Sequence, residues 1–423
     1  MSEPRSNACG KRRRPAALQF ADMERGRPRP HRRVQRMRCP GLSMGLIGLL
    51  FTMCLFASPS PAQWPTYHGS SDLAGVANAE LPLRLAKLWT ARVGKAVLST
   101  PVAGDKRIYC ATDGGKVLAF NLEGKPLWNV KIVLKEGDSQ EEPASIGAPL
   151  LFVQGLVLCG TERGWLYAFD AESGKQRWIY KECSGILGTP NYLKPKGSSK
   201  TLAMVIDQPE GKVHAIDIAN GKAMWVSEGT ARCDGSGGAT EDRIVFGGCD
   251  STLHVLSPAT GEAINNIEVG EGNEMAGGAV IAGSDVFVGN RSGSLVCIDL
   301  GEKNIRWTVN GDGGELFTTA AVKGNKVVIA TGEDKILCID RSSGKKHWTS
   351  NVDGTASTSP VIAGDKVAYS VDEAIHMISL EDGSHLWSGA VGGELTSPAI
   401  VENMLVVGTS DGRLVAFGKK EAQ

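Results

Sequence analysis

The sequence lacks the fixed residue patterns that mark several large enzyme classes. It contains no His-Glu-x-x-His zinc motif, no Gly-Lys-Ser/Thr phosphate loop and no Gly-x-Gly-x-x-Gly dinucleotide motif. No Cys-x-x-Cys pair follows residue 62, which excludes a thioredoxin-like motif and a zinc knuckle from that region. Two adjacent cysteines are also absent. These absences favour a binding or scaffolding role over catalysis.

Long apolar runs are missing except within the first 62 residues. Residues 1–43 carry 12 Lys or Arg against 3 acidic residues, and the uncharged stretch "MGLIGLLFTMCLFASPSPA" follows them. A basic segment, a short apolar core and a small-residue end predict a secretory signal with cleavage after Ala62. The apolar core, Leu46 to Ala57, is short for a membrane span. Met37 and Met44 are alternative starts, which would leave the early basic stretch outside the protein.

Basic charge is scarce once this leader is set aside. The remaining chain has 34 basic and 43 acidic residues, a net charge of about −9, and therefore lacks the basic footprint of a nucleic-acid-binding protein. Phe51 to Cys54 is a poor lipoprotein cleavage site, so a soluble exported protein is favoured over a lipid-anchored one. We expect a periplasmic or extracellular protein with no transmembrane span.

What the chain does contain is a repeated motif that ends in tryptophan. "WLYAFDAESGKQRW" ends at Trp178, and "HVLSPATGEAIN" is a degraded copy that places Asn265 where the tryptophan belongs. The other copies end at Trp128, Trp225, Trp307, Trp348 and Trp387. With Trp89 of "LAKLWTARVG" and Asn265 included, the spacings are 39, 50, 47, 40, 42, 41 and 39 residues. A period of this length predicts a repeat architecture.

Each repeat contains about four short strands. A small-residue run such as "TSPVIAG" precedes a strand such as "KVVIAT", and a turn, an "AFD"-type strand, a Gly-Lys turn and the tryptophan strand follow. Four antiparallel strands per unit, repeated radially, describe a β-propeller blade. The units begin near Ser99, Gly147, Gly188, Ser236, Gly277, Thr318, Thr358 and Thr396. The sequence therefore predicts an all-β, eight-bladed propeller, or a seven-bladed one if the degraded fourth unit merges with a neighbour.

The two ends of the repeat region complement each other. The last unit ends in "GRLVAFGKKEAQ" without a tryptophan strand, and "LAKLWTARVG" comes before the first complete unit. We expect Leu85 to Gly94 to complete the last blade and close the ring, which removes exposed strand edges. The expected organisation is a leader over 1–62, a lead-in segment over 63–84 and one eight-bladed propeller over 85–420.

Cysteines and histidines mostly follow the repeat. Cysteines within apolar strands are expected to be small buried residues; they are Cys110, Cys159, Cys297 and Cys338. Cys183 and Cys233 each follow a tryptophan strand and are the best disulfide candidates in an exported protein. His214, His254 and His376 share one repeat position. Equivalent positions in different blades point away from one another, so these rings are expected to pack between sheets instead of binding one metal.

Four acidic residues occupy the linkers that lead into the predicted innermost strands. They are Glu274, Glu315, Asp353 and Glu394, in "GNEMAGG", "GGELFTT", "VDGTAST" and "GGELTSP". In a propeller these linkers surround one mouth of the axial channel. Carboxylates gathered there would focus negative potential and attract a cation or a basic partner. The competing interpretation is that they are solvated loop acids.

The repeat resembles that of a known family. The pattern Ala-x-Asp-x-x-x-Gly-x-x-x-Trp, matched by "AFDAESGKQRW" and "AIDIANGKAMW", resembles the tryptophan-docking repeat of the pyrroloquinoline-quinone (PQQ)-like propellers over roughly residues 64 to 420. The resemblance implies that each tryptophan stacks against the neighbouring repeat. The residues concerned are Trp89, Trp128, Trp178, Trp225, Trp307, Trp348 and Trp387.

The family that this chain resembles contains two functional classes. Quinoprotein dehydrogenases bind PQQ and calcium on the axis and are much longer, and many carry adjacent cysteines. The other class is non-catalytic, is typified by the propeller lipoprotein of the outer-membrane β-barrel assembly machinery, and is close to this chain in length. The resemblance therefore implies a monomeric, cofactor-free module that binds envelope protein through loops or the channel mouth.

Two longer segments are the first places to seek such a partner, because loops on a rigid scaffold commonly carry function. They are Lys131 to Ser145 and Leu193 to Lys200. Two alternatives stay open. One is a small dehydrogenase dependent on PQQ and calcium, and the other is a propeller hydrolase or lyase that acts on polysaccharide.

Overall fold

A computed structural model describes residues 63–135, 141–311 and 314–420, so the predicted leader lies outside the described residues. Every regular element in the described part is a β-strand. The strands form eight sheets of four antiparallel strands each, one of which gains a short fifth strand in parallel, and one separate two-stranded sheet. The degraded fourth unit forms a sheet of its own. The all-β, eight-bladed prediction is therefore confirmed, and the seven-bladed alternative is wrong. No helix in these residues is long and apolar enough to cross a membrane.

The blades are arranged around a common axis, because the first strands of successive sheets contact one another. From blade 1 to blade 8 these innermost strands are Val102–Gly104, Leu151–Val153, Asn191–Leu193, Gly238–Ala239, Val280–Ala282, Ala321–Lys323, Val361–Ala363 and Ala399–Val401. The second strands are Arg107–Ala111, Leu156–Gly160, Leu202–Asp207, Ile244–Gly247, Asp285–Gly289, Lys326–Ala330, Lys366–Val371 and Met404–Gly408.

The third and outermost strands complete each blade. The third strands are Lys116–Asn121, Leu166–Asp170, Lys212–Asp217, Thr252–Leu256, Ser294–Asp299, Lys335–Asp340, Ala374–Ser379 and Arg413–Gly418. The outermost strands of blades 1 to 7 are Pro126–Lys131, Gln176–Tyr180, Lys222–Val226, Ala263–Glu268, Asn304–Asn310, Lys346–Asn351 and His385–Ala390. Two short strands, Val133–Leu134 and Glu142–Pro143, pair with each other between blades 1 and 2.

Burial explains the different sequence patterns of these strands. The second strand Lys326–Ala330 is buried along almost its whole length because blades cover both of its faces, and its sequence is accordingly a continuous apolar run. The outermost strand Pro126–Lys131 alternates between half-buried and exposed residues because only one of its faces meets a neighbour. Stacked blades thus supply the apolar cover that no single sheet has.

The ring closes through the strand Ala86–Arg92. It pairs antiparallel with Arg413–Gly418 and supplies the outermost strand of blade 8, with Ala86 opposite Gly418 and Arg92 opposite Arg413. This is the position that the sequence predicts for Leu85 to Gly94. One hydrophobic cluster then runs from blade 8 into blade 1 and includes both Val406 and Cys110.

Tryptophans of the outermost strands tie each blade to the next. Their indole N–H groups donate to backbone oxygens in the turn between the third and fourth strands of the following blade. The pairs are Trp89 to Leu122 at 2.8 Å, Trp128 to Ala171 at 3.0 Å, Trp178 to Ile218 at 2.8 Å, Trp225 to Pro258 at 3.1 Å, Trp307 to Arg341 at 2.8 Å and Trp348 to Leu380 at 3.2 Å. Trp387 instead packs edge-on against Phe417, with ring centroids 5.5 Å apart.

The lead-in segment crosses the propeller on one side and bonds to the inner part of every blade. Trp64 pairs with Ala103 of blade 1, and Val76–Ala77 pairs in parallel with the innermost strand of blade 7. Between these two contacts, backbone oxygens of the lead-in segment accept N–H groups from blade 2 and from blades 4 to 7. The donor and acceptor pairs are Phe152 to Pro65, Ala239 to Ser71, Ile281 to Asp72, Val322 to Ala74 and Ile362 to Gly75. The Thr66 hydroxyl donates to the backbone oxygen of Pro190, next to the innermost strand of blade 3, and the Glu80 N–H donates to Asn403 Oδ1 in blade 8.

This crossing closes one end of the axis. Trp64, Thr66, His68 and Leu73 are fully or almost fully buried. The Tyr67 hydroxyl lies 2.6 Å from Ser359 Oγ and donates to Thr319 Oγ1 at 3.2 Å, both just before innermost strands. The lead-in segment therefore fills the axis from the end where the blades' first and second strands are joined, and Tyr67 reaches through it to the residues that precede the innermost strands.

Candidate functional site

The open end of the axis is formed by the linkers that run from each outermost strand into the next innermost strand. We call this surface the linker face; it comprises the described residues of 93–101, 132–150, 181–190, 227–237, 270–279, 311–320, 352–360 and 391–398. Because every blade has the same antiparallel order, the turns between second and third strands reach this face as well. The lead-in backbone bonds to the innermost strands, and its Thr66 and Tyr67 side chains reach the inner ends of the linkers at Pro190, Thr319 and Ser359. The outer parts of the linkers carry the exposed side chains that a partner can approach.

Acidic side chains dominate the linkers of this face. The acidic residues among the described linkers are Glu141, Glu142, Glu182, Glu228, Asp234, Glu271, Glu274, Glu315, Asp353 and Glu394. The basic ones are Lys95, Lys135, Lys181 and Arg232. Such an imbalance on one face creates a negative potential that favours a basic partner.

The four predicted mouth acids lie on the linker face but do not share one position. Glu274 and Glu315 both stand six residues before the innermost strands that begin at Val280 and Ala321. Asp353 and Glu394 stand eight and five residues before theirs. Glu315, Asp353 and Glu394 are exposed and Glu274 is half-buried. Among the described residues, the one acidic, cysteine and histidine group with ligand atoms within 4.8 Å of one another contains none of them.

Arg291 organises the most structured part of the face. It lies in the turn between the second and third strands of blade 5, and its guanidinium bonds to Asp234 at 2.5 Å and to Glu315 at 2.7 Å. Asp234 also accepts a 2.7 Å bond from Arg232. Partial burial raises the pKa of Asp234, but the hydrogen bonds from the two arginines outweigh it and hold that pKa below its usual range. Arg291 thus joins the linkers of blades 4 and 6 across blade 5.

Exposed apolar side chains recur at one repeat position on this face. Leu98, Leu187 and Phe317 each stand four residues before an innermost strand, and they are 56%, 44% and 49% exposed. The Arg291 guanidinium lies 5.2 Å from the Phe317 ring centroid. Leu395 holds the same position in blade 8 and is half-buried. These residues are not among the predicted site residues, although their common offset from the small-residue strands is visible in the repeat.

The two longer segments lie at opposite ends of the propeller. Lys131 to Ser145 belongs to a linker and so reaches the linker face, although residues 136–140 lie outside the described part. Leu193 to Lys200 follows an innermost strand and reaches the end that the lead-in segment closes. There Lys200 pairs with Asp217 at 2.9 Å.

The disulfide predicted between Cys183 and Cys233 is not formed in this structure, and that prediction is corrected. Both residues are free, buried thiols that belong to different hydrophobic clusters. The Cys233 thiol contacts the backbone oxygen of Gly235 at 3.4 Å. The reason is that blade stacking encloses each linker cysteine on its own side of blade 3. The strand cysteines Cys110, Cys159, Cys297 and Cys338 are buried and free, as the sequence predicts.

Histidines at the shared repeat position pack against aromatic rings, as expected. His254 stacks on Phe246 and His376 on Tyr369, with ring centroids 5.1 and 5.5 Å apart. His214 makes an edge contact with Tyr180 at 5.7 Å. Histidines of different blades do not meet, but side chains of other types within one blade can lie close to His214. A comparison of histidines between blades does not reveal them.

Known proteins show similarity over much of the chain. In curated sequences, outer membrane protein assembly factor BamB of Burkholderia pseudomallei is 27% identical over 200 residues, which cover 46% of this chain and 49% of that protein. BamB of Escherichia coli strain K12 is 29% identical over 108 residues, 24% of this chain and 28% of that protein. The chain thus spans about half or less of the length of the curated relatives it matches.

Solved structures share the fold at lower identity. BamB from Moraxella catarrhalis has a TM-score of 0.64 at 20% identity, covering 80% of this chain and 99% of that one. A europium-containing methanol dehydrogenase has a TM-score of 0.69 at 13% identity, covering 85% and 99%. Both likenesses concern the propeller fold and do not separate the two functional classes.

A family model decides the relationship. The model described as outer membrane protein assembly factor BamB matches residues 123–320 and 307–423, well over half of the chain. Blades 2 to 7, the first three strands of blade 8 and the tryptophans from Trp128 to Trp387 fall within the matched range. The chain therefore belongs to the BamB family of PQQ-like β-propellers.

Proposed function

We propose that this chain is an exported, non-catalytic propeller that binds a protein partner of the cell envelope through its linker face. The basic and apolar leader over residues 1–62 supports export. The names of the relatives, outer membrane protein assembly factors, support an envelope role. We propose that this partner takes part in the assembly of outer-membrane proteins.

The observation that carries this proposal is the repeated exposure of apolar side chains on an acidic face. Leu98, Leu187 and Phe317 come from blades 1, 3 and 6, so they surround the axis instead of forming one side of it. Apolar anchors within a polar rim are characteristic of protein-binding surfaces. The Arg291 cluster beside Phe317 adds a charged, structured element of the kind that is enriched at binding hot spots.

The chemistry of the face defines the partner. Ten acidic against four basic residues in the described parts of the linkers favour a protein surface with basic side chains around apolar ones. A small-molecule substrate would need a concave, mostly enclosed pocket with convergent polar groups. The exposed anchors and the spread of the four mouth acids fit a macromolecular surface better.

Site-specific photo-cross-linking in the native cell tests the proposal. A benzophenone amino acid replaces Leu187 or Phe317 in separate chains, and matched controls carry it at Leu83 and Ile264, which are 62% and 55% exposed but lie outside the linker face. We expect one discrete envelope-protein adduct from the two linker-face positions and none from the controls. A Phe317→Asp change should abolish the adduct formed from Leu187, while Ile264→Asp should leave it.

Two results would overturn the proposal. Equal adducts from linker-face and control positions would mean that contact is not confined to this face. An adduct from Leu187 that persists in the Phe317→Asp chain would mean that the face does not act as one surface.

The non-catalytic part of the proposal needs its own measurement. Equilibrium dialysis of the full chain against PQQ with calcium should show no saturable binding at ~100 µM, far above the range of a committed cofactor site. Saturable one-to-one binding that is lost without calcium would make the chain a quinoprotein dehydrogenase instead.

A further inference from the structure

Blade 3 and the linker that enters it bring together a cysteine, an aspartate and a histidine. Cys183 lies in the linker, Asp207 ends the second strand Leu202–Asp207, and His214 lies in the third strand Lys212–Asp217. The thiol, one carboxylate oxygen and one imidazole nitrogen all lie within 4.8 Å of one another. The three side chains are 7%, 1% and 3% exposed. This cluster is therefore inside the protein, just beneath the linker face.

One polar atom of the cluster forms no hydrogen bond within the described part of the chain. His214 Nε2 is buried and has no hydrogen-bond partner. A buried polar atom without a partner costs free energy, so an unsatisfied nitrogen beside a thiol and a carboxylate points to a ligand that the three groups share.

The surrounding groups hold the cluster in place. His214 Nδ1 shares a 2.7 Å hydrogen bond with the Tyr180 hydroxyl, which fixes the ring. The Asp207 carboxylate accepts the N–H groups of Ser184 at 2.9 Å and Gly185 at 3.2 Å. When Nδ1–H donates to the Tyr180 oxygen, the Nε2 lone pair is free to bind a cation. This is the outer-shell arrangement that orients histidine ligands in metal sites.

A catalytic role for the same residues fits less well. In a cysteine nucleophile system the aspartate orients the histidine through the second ring nitrogen. Here that nitrogen faces the Tyr180 hydroxyl. The thiol, a carboxylate oxygen and a ring nitrogen lie within 4.8 Å of one another, a spacing that one metal ion can bridge.

We propose that Cys183, Asp207 and His214 bind a zinc ion through Sγ, a carboxylate oxygen and Nε2. A thiolate, an imidazole and a carboxylate suit zinc and disfavour calcium and magnesium, which prefer oxygen ligands. With the thiol deprotonated, one thiolate and one carboxylate neutralise Zn²⁺, so the buried site carries no net charge. The fourth tetrahedral position remains for water.

The protonation states of the cluster are consistent with such a site. Burial lowers the pKa of His214, so its ring is neutral near pH 7 and does not compete with a cation. Burial, helped by the charges of Asp207, Glu182 and Glu210, raises the pKa of Cys183. Zinc binding at neutral pH must therefore release one proton from the thiol, and the affinity must rise with pH.

Bound zinc would connect the linker between blades 2 and 3 to the second and third strands of blade 3. Cys183 is the one ligand on the linker, so zinc would fix the part of the linker face that presents Leu187. This inference goes beyond the proposed function and does not depend on it, because the metal can bind whether or not the face has a partner.

Cobalt substitution of the tag-free full chain tests the proposal. The chain is reduced with a phosphine, freed of metal by a chelator and titrated with Co²⁺, and bound metal is counted by mass spectrometry. We expect one Co²⁺ per chain, with a thiolate-to-cobalt charge-transfer band and the visible bands of tetrahedral cobalt, and displacement by Zn²⁺. These spectra need no variant, so a folding defect cannot obscure them. Absence of the charge-transfer band from the wild-type chain would overturn the proposal.

Variants then assign the ligands. Cys183→Ser and His214→Gln should lose the band and the Zn²⁺-dependent rise in Tm. Tyr180→Phe should keep the band and weaken zinc binding by roughly 10–100-fold, the usual effect of losing an outer-shell partner. Matched controls are Cys233→Ser, another buried linker thiol, and His254→Gln, the same repeat position in blade 4; both should behave as wild type. An unchanged band in Cys183→Ser would place the metal elsewhere and reject the site.

Discussion

At the residue scale, the glycine and the tryptophan of the repeat contact two different neighbouring blades. The tryptophan docks on the following blade, while the glycine receives the ring of the preceding one. At Gly221, φ is +72° and an added Cβ would lie 2.6 Å from the Trp178 ring. Only glycine satisfies both the left-handed backbone and the close ring, which explains why Gly and Trp keep a fixed separation within the motif.

Replacing Gly221 by alanine should separate the backbone cost from the packing cost. Gly155 is the matched control, because its φ is +76° and nothing lies within 4 Å of an added Cβ. Gly155→Ala should lower the free energy of unfolding by about 1–2 kcal/mol through backbone strain alone. Gly221→Ala should cost a further ~1–3 kcal/mol from overpacking against Trp178. Urea unfolding measures both; equal losses would show that the ring moves aside freely.

His68 should make stability depend on pH. Burial lowers its pKa from the usual 6.5 to about 4. Between these values the unfolded chain binds the proton and the folded chain does not, so stability is present above pH 6.5 and falls as the pH falls toward 4. The difference is about 3 kcal/mol, and His68→Gln should remove it from the pH profile of urea unfolding. Leu73→Ala, a non-titrating change in the same segment, should lower stability equally at each pH; an unchanged slope in His68→Gln would contradict the assignment.

At the element scale, the contact between blades 4 and 5 lacks both halves of the tryptophan dock. Asn265 replaces the tryptophan in blade 4, and Lys303 occupies the glycine position of blade 5 with a φ of +57°. Asn265, Ile264, Leu300 and Lys303 line a cavity of about 230 Å³ between the two blades. Because no ring presses on position 303, a side chain is tolerated there. Asn265 and Lys303 thus occupy the two sides of one contact, the tryptophan ring of one blade on the glycine of the next, which is absent here.

Restoring both residues should therefore stabilise the protein more than the sum of the two changes. Lys303→Gly alone should raise the free energy of unfolding by about 1 kcal/mol or less, because relief of the left-handed backbone strain is partly offset by the greater freedom of glycine in the unfolded chain. Asn265→Trp alone should gain little, because the Lys303 side chain stands where the ring must lie. The double variant should show a favourable coupling of about 0.5–3 kcal/mol in a double-mutant cycle of urea unfolding. Strict additivity would mean that the ring docks without the glycine.

At the scale of the whole molecule, the ring is fastened by two separate parts of the N-terminal region. The strand Ala86–Arg92 closes blade 8, and the lead-in segment bonds to the inner part of every blade from the closed end. These bonds join residues that are up to 323 positions apart in the chain. The N-terminal region thus holds the blades together at the axis, where the tryptophan docks cannot reach.

Weakening the lead-in segment should loosen the innermost strands of several blades together. The Thr66→Val, Tyr67→Phe double variant removes side-chain bonds to blades 3, 6 and 7. We expect faster amide hydrogen exchange at Phe152, Ala239, Ile281, Val322 and Ile362, which donate to this segment, and unchanged exchange in the third strands of the same blades. The matched control Gln154→Ala removes a surface bond to Thr201 and should change neither set. Faster exchange confined to blade 3 would show that the segment does not act as one unit.

The sequence by itself determined the blade, a count of eight blades or seven, and the residue that docks each blade on the next; the separate sheet of the degraded fourth unit then decided for eight. These follow from local patterns, namely apolar runs bounded by turn residues and a tryptophan at a regular spacing, which every copy of the repeat restates. The position of the closing strand could also be inferred, because the ends of the repeat region lack complementary parts. Backbone pairing within a blade depends on residues that are close in the chain, and such residues carry their own signal.

Only the tertiary structure decided what lies at the two ends of the axis and beneath the linker face. The path of the lead-in segment depends on hydrogen bonds to eight separate blades, and no spacing in its sequence encodes them. Cys183, Asp207 and His214 are brought together by the folding of one linker over one blade, while Cys183 and Cys233 are kept apart by the same packing. The repeat fixes which residues are equivalent; burial and blade stacking fix which of them meet.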